Sequence, residues 1–303
     1  LSFSYQGGHI LLYHGVFSKI PSGLESRLHN VFPDEFKRQI KWLSREFEIV
    51  SMDEFTTAKD NRGLATITFD DAYADLFSYA IPWLVGEGIP STVFINSNLV
   101  CGDIFWRDKV RFVLTEQLEE DFLTFFAQEQ WTKKIRPERF YKDSKQPGLN
   151  SHLVDQALNV FFAERHLDQE LLTLTKVIAK PSDLINDPLI HYGNHSASHY
   201  VLSSLKPDQQ CEEIISCQNW LNKGKYRCTS SFALPFGGTQ DADENTHALI
   251  NEAGCSAILM SRQAVNRNQQ KDPITELPIF ERYMAPSTVD ELIVLSRQLD
   301  QTL

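Results

Sequence analysis

The chain has 303 residues, 42% of them hydrophobic and 23% charged, which is ordinary for a soluble globular protein and enough to bury the core of one large α/β domain. A formal net charge of −11 argues against a nucleic-acid polymer as partner and leaves neutral or cationic substrates open, although a bound metal can make a pocket locally positive. The five cysteines, Cys101, Cys211, Cys217, Cys228 and Cys255, are dispersed without a CxxC pair and fit free thiols of a reducing compartment; with no apolar run long enough to cross a bilayer, the expectation is a cytoplasmic protein, a removed export signal staying open because the first residue is Leu1.

Taken in order, His9 to Tyr13 reads as a first strand ending in His14 and Gly15. A histidine at a strand end is a candidate pocket residue, and a structural hydrogen bond to a nearby loop is the alternative. Ser18 to Val31 is turn-rich and expected to overhang a site. Pro33 opens a helix running to Phe47, with Phe36, Ile40, Leu43 and Phe47 at helical spacing. A short strand at Glu48 to Met52 and a helical turn at Asp53 to Thr57 follow. Leu64 to Phe69 is apolar and β-branched, which predicts a buried strand, and it ends in adjacent carboxylates, Asp70 and Asp71. Two bare carboxylates are costly to bury and persist where a cation or a shared proton offsets them. The competing reading is a cap for the helix that begins near Ala74. That helix, Asp75 to Gly86, leads through Gly-Ile-Pro to a strand at Ser91 to Ile95. Such βα repeats need right-handed parallel crossovers, so a barrel or an open parallel sheet is expected.

From about Cys101 to Pro188 the pattern changes. Asp108 to Leu114, Glu119 to Trp131 and Leu153 to His166 carry apolar residues at helical spacing with few strand signals, which predicts a mainly helical insert. Leu189 to Tyr192 is the strand delivering His191-Tyr-Gly-Asn-His195-Ser-Ala-Ser-His199. On one turn of helix His195 and His199 would present their rings to the same side, about 6 Å apart along the axis. Two imidazoles and one carboxylate suffice for a catalytic zinc with a position open for water; surface residues of a Ser-rich loop are the alternative. Pro207 to Leu221 is a helix, and a strand at Ser230 to Leu234 ends in Pro235-Phe-Gly-Gly238, where the backbone must turn sharply. A helix at Asp241 to Glu252, a strand at Cys255 to Met260, a polar loop, an extended stretch at Thr275 to Tyr283 and a last helix begun by the capping box Thr288-Val-Asp-Glu291 complete the chain. All three motif blocks follow apolar strands, a polarity that gathers them on one face of a (β/α) barrel.

The strand-end Thr68-Phe-Asp-Asp71, the HSxSH at His195 to His199, the Leu234-Pro-Phe-Gly237 turn and the Tyr13-His-Gly-Val16 opening together resemble the polysaccharide deacetylases, the NodB-type carbohydrate esterases. The resemblance implies a single distorted (β/α) barrel over residues 1–303 with the helical insert at about 101–188, and removal of an acetyl group from an N-acetylated sugar or saccharide precursor. It implies one divalent ion, zinc first, held by Asp71, His195 and His199, with Asp70 as catalytic base and the Phe236 N–H, after Pro235, facing the oxyanion. Trp106 is the aromatic expected to stack on a sugar ring at the mouth of the groove. Two parts of the family pattern are missing. The late histidine that protonates the leaving amine is absent from Glu276-Leu-Pro-Ile-Phe-Glu-Arg-Tyr283, and Ser230 and Ser231 stand where an arginine precedes the Pro-aromatic turn. His14 is the candidate replacement acid, with Asp70 as a single proton shuttle the other route. The substrate expected is a small, lipid-linked or nucleotide-linked saccharide. An inactive metal- and carbohydrate-binding homologue and a C–N hydrolase acting on a non-sugar amide are the alternatives.

Overall fold

The computed structural model describes residues 4–301. Strand β1 (His9–Tyr13) leads through the long loop to helix α1 (Pro33–Glu46), then to β2 (Glu48–Ile49) and α2 (Met52–Thr57). Helix α2 starts from a reciprocal capping box between Ser51 and Glu54. Strand β3 (Leu64–Phe69) is followed by one π-helical stretch, Leu76–Ala80, that continues as α3 (Ile81–Gly86). A regular helix over Asp75 to Gly86 is therefore not what forms. Pro82 brings no N–H to the ladder, and the turn before it widens.

After β4 (Ser91–Ile95) come the short α4 (Ser97–Val100) and a helical run of α5 (Trp106–Thr115), α6 (Glu119–Phe125), α7 (Phe140–Asp143), α8 (Ser151–Glu164) and α9 (Asp168–Leu174). The chain returns through β5 (Ile190–Asn194), α10 (Pro207–Lys223), β6 (Cys228–Ala233), α11 (Glu244–Glu252), β7 (Ala257–Met260), β8 (Gln270–Lys271), β9 (Pro278–Glu281), β10 (Tyr283–Met284) and α12 (Val289–Gln301). The predicted Thr288–Glu291 box is present in both directions: Glu291 N–H donates to Thr288 Oγ1 and Thr288 N–H to Glu291 Oε2.

The architecture is a distorted (β/α) barrel. The strands run in the order β10-β1-β3-β4-β5-β6-β7-β9-β8, with β2 paired to β3, and every pairing is parallel except β8 with β9. The run 278–284 belongs to both ends of this order. Its first half pairs with β7 and its second with β1, Leu11 opposite Tyr283, so the ring is bridged at Arg282 without one continuous ladder. Period-two alternation divides the apolar residues. Ile10, Phe94, Ala233, Leu259 and Phe280 form a small inner cluster with Met52 and Phe55 of α2. Leu11, Tyr13, Ile67, Phe69 and Val93 belong to the large cluster shared with the surrounding helices. Gly193 in β5 faces the Phe94 ring so closely that a Cβ would lie 2.4 Å from it. Helix α2 plugs the N-terminal end of the strands, where Asp53 accepts from the Thr229 hydroxyl and Phe55 abuts Gly8. The opposite, C-terminal end is left for the motif loops. No helix among the described residues is long and apolar enough to cross a membrane.

Candidate active site

Strand β3 delivers Asp70 and then turns abruptly. Asp71 and Ala72 both take positive φ, 68° and 54°, a region costly for residues with a Cβ and tolerated where surrounding packing over-determines it. The second motif loop behaves likewise. Residues 195–200 are not helical, and Ser196 and His199 have φ of 64° and 59°. The expected helical turn is thus replaced by two left-handed residues, and these still bring the imidazoles of His195 and His199 together, ring centres 4.7 Å apart at 80°. Side chains hold this loop at both ends. Asn96 Nδ2 donates to the carbonyls of His195 and Ser196, Ser196 Oγ accepts from His199 N at 3.1 Å, and Glu213 Oε2 accepts from Ser198 N at 2.7 Å. Burial pushes the Glu213 carboxyl up to about 7.

Ligand atoms of Asp71, His195 and His199 lie within 4.8 Å of one another, all three residues buried. His199 Nε2 is 3.5 Å and His195 Nε2 3.7 Å from Asp71 Oδ1. Asp71 Oδ1 and His195 Nε2 have no hydrogen-bond partner. His195 Nδ1 donates to the Ala233 carbonyl at 2.7 Å, which fixes the tautomer and leaves the Nε2 lone pair facing the carboxylate. Burial first, and the neighbouring Asp70 second, push the Asp71 carboxyl well above its ordinary value. Burial lowers both histidines, His199 further through His195. A buried, unpaired carboxylate oxygen beside two imidazoles is compatible with a single divalent ion, and the residues present fit one.

Asp70 is built differently. Arg282 grips it bidentately, Nη1 to Oδ1 at 2.7 Å and Nη2 to Oδ2 at 2.9 Å. Burial raises this carboxyl, but the charge of Arg282 and its hydrogen bonds outweigh it and hold Asp70 below the usual range. His195 Nε2 is marginally nearer to Asp70 Oδ2, at 3.4 Å, than to Asp71. Both Asp70 oxygens are nonetheless committed to Arg282, which leaves Asp71 as the carboxylate with a free oxygen. Arg282 is the residue that sequence reading missed. It reaches Asp70 from the single residue between β9 and β10; a lone Arg inside the extended stretch 275–283 was its signal.

His14 Nε2 points into the cleft 4.0 Å from Asp71 Oδ2. Its Nδ1 pairs with His29 Nδ1 at 3.0 Å, and His29 Nε2 donates to the Ala285 carbonyl at 2.7 Å. His29, on the overhanging loop, must therefore accept from His14, whose Nε2 is left as a bare lone pair. Burial, and then His29, keep His14 well below the ordinary imidazole value. Phe236 follows Pro235 with φ 63°; its ring lies edge-on to His199 at 4.6 Å, and its N–H meets no acceptor among the described residues.

Trp106 corrects the sequence reading. It is 1% exposed, donates from Nε1 to the His199 carbonyl at 2.9 Å, and packs against Tyr200 and Phe236. It supports the histidine loop from behind and offers no face to a sugar. The cleft itself, about 170 Å³, is bordered by His14, His29, Asp70, Asp71, His199 and Phe236 together with cationic residues from α5 and the segment after α7. An expectation of neutral or cationic substrates drawn from overall charge does not describe this wall.

No family model and no curated protein matches the sequence. Solved structures do resemble it. The Streptococcus pyogenes deacetylase PplD, in complex with acetate, superposes with a TM-score of 0.55 at 14% identity, covering 99% of this chain and 100% of that one. BC0361, a polysaccharide deacetylase from Bacillus cereus, gives 0.59 at 13% identity over 96% of this chain and 69% of its own. IcaB from Ammonifex degensii gives 0.53 at 17% identity, over 97% and 98%. The fold of the chain is that of the polysaccharide deacetylases.

Proposed function

We propose that the protein is a metal-dependent hydrolase that removes an acetyl group from an N-acetylated saccharide. The observation that carries this reading is the pairing of two unlike carboxylates at one strand end: Asp71 with an unpartnered oxygen between two imidazoles, and Asp70 neutralised by Arg282. An amide carbonyl is a poor electrophile and water a poor nucleophile; a divalent ion held by Asp71, His195 and His199, zinc being the proposed one, supplies the charge that polarises the one and acidifies the other.

The chain's own groups do the rest. Asp70, kept ionised and oriented by Arg282, takes the proton from the attacking water. The free Phe236 N–H donates to the oxygen on which charge develops. His14 returns that same proton to the leaving nitrogen: its Nε2 lone pair takes up the proton Asp70 removed from the water and passes it on, leaving both groups as they began, and His29 holds the ring through the chain that ends on Ala285. The substrate proposed is a small, lipid-linked or nucleotide-linked saccharide. The free state of all five cysteines supports the cytoplasmic location that belongs to this proposal.

The test combines elemental analysis with acetate release from N-acetylated sugars. Wild-type protein is expected to hold one zinc per chain. H199A is expected to lose the ion, and D70N to keep it while losing at least ~100-fold in turnover. Wild-type metal content in H199A would remove the ligand assignment, and loss of the ion in D70N would make Asp70 a ligand.

A further inference from the structure

The cleft wall contributed by the helical run between β4 and β5 has an unbalanced charge. Arg107 on α5 and Lys145, just after α7, border the cleft beside Asp71 and His199, and Arg27 stands at its rim. Arg107 is 1% exposed. Its Nη1 donates to Ser144 Oγ at 3.0 Å and its Nη2 to the Tyr141 carbonyl at 2.8 Å, both neutral acceptors, while its Nε has no partner. Its guanidinium lies 4.3 Å from the Tyr141 ring centre and 4.7 Å from that of Trp106. Lys145 Nζ sits 4.4 Å from the centre of the Phe236 ring. Among the described residues no carboxylate lies within ion-pair distance of Arg27, Arg107 or Lys145. Arg111, one turn along the same helix, is the contrast, since its Nη1 is paired with Asp108.

Leaving a buried cation without a counter-charge is costly, and a chain with 40 acidic residues had the means to supply one. Burial, then Arg107, depress Lys145 against the opposing pull of Tyr141 and Asp241. Burial raises the Tyr141 hydroxyl, yet Arg111 and Arg107 bring it down to about 8. These shifts mark a region of positive potential that an anion would relieve.

We propose that this wall is a subsite for an anionic group of the substrate, so that the amide is presented to Asp70 and Asp71 by a saccharide carrying a carboxylate or phosphate near its N-acetyl group. The inference rests on the amide-hydrolase reading for its orientation and deepens it by naming the substrate class. A guanidinium and an ammonium on one wall provide converging charge-assisted donors for such a group. The two possible sources of the charge differ in shape, so the experiment carries one arm for each.

Zinc-supplied full-length protein would be assayed on N-acetylglucosamine, its uronic acid and its 1-phosphate, as wild type and as K145M. Lys145 is half-buried, which makes that variant safer for folding than a change at Arg107. The expected result is a kcat/KM at least ~10-fold higher on one anionic sugar than on the neutral one, the size of a single hydrogen bond to a charged group, with the preference cut about tenfold in K145M. No preference, or an equal loss on all three sugars in K145M, would overturn the subsite and assign the cations to the chemical step. Should no sugar be turned over, the hydrolase reading fails separately, and calorimetric titration with the same uronic acid and 1-phosphate decides the subsite: binding weakened about tenfold by K145M sustains it, and absence of binding by either sugar overturns it.

Discussion

Replacing Arg282 by Met tests the pairing on which the proposed base depends. Both partners are buried, Arg282 at 0% and Asp70 at 3% side-chain exposure, and Met fills similar volume without charge. Removing one partner of such a pair strands the other, a loss of about 3–5 kcal/mol. Arg282 also donates to the Met260 carbonyl and to Ser261 Oγ, hydrogen bonds from a charged group worth about 1.5–3 kcal/mol each. The double variant D70N/R282M strands no charge, so it should lose only those hydrogen bonds and be more stable than R282M alone. Urea unfolding followed by tryptophan fluorescence, with chelator present to remove the contribution of bound metal, measures all three proteins. An R282M within about 0.5 kcal/mol of wild type, or a double variant whose loss equals the sum of the single ones, would refute the stranded-charge account.

Two further outcomes are expected. H14A should lose amide hydrolysis by at least ~10-fold more than aryl-acetate hydrolysis, because an aryl oxide leaves without a proton and an amine does not; equal losses on both would remove His14 as the acid. Glu213, raised from 4.5 to about 7 by burial, keeps its proton in the folded chain over a range where the unfolded chain releases it. Stability should therefore fall as pH rises from about 4.5 toward 7 and then level off, by up to about 3 kcal/mol from this one group. E213Q should lack that component, and denaturation curves of wild type and E213Q that move in parallel from pH 5 to 8 would show the group does not titrate as described.

Local signals carried much of the design. An apolar run ending in two carboxylates announced β3 and its acid pair, and Leu234-Pro-Phe-Gly237 announced a turn whose Phe236 does reach the cleft. The spacing of His195 and His199 was legible, but its cause was not. Four residues suit a helical turn, whereas the loop uses left-handed backbone at Ser196 and His199, a choice enforced by Asn96, Ser196 and Glu213 from three separate places. Trp106 was misread because an indole near a predicted groove looks the same in sequence whether its N–H faces solvent or the His199 carbonyl. Arg282 stood out as a lone arginine in an extended stretch, but its target Asp70 was not legible, nor was the Ala285 carbonyl that orients His29, since both are brought close only by the closing of the strand ring.

That closing has a consequence for the order in which the protein becomes competent. Asp70 and Arg282 are 212 residues apart in the chain, and the segment holding Arg282 is the one that joins β7 to β1. Contacts of such separation require most of the chain to be arranged before they can form. The geometry of the Asp71, His195 and His199 donor set depends on contacts from Glu213 and Ala233, and the Asp70–Arg282 pair depends on a segment later still. Refolding with metal present measures the order: metal uptake that returns before turnover would place the docking of residues 278–284 last, and simultaneous return would show that the two form together. A chain interrupted before residue 282 would leave Asp70 without either of its two guanidinium hydrogen bonds.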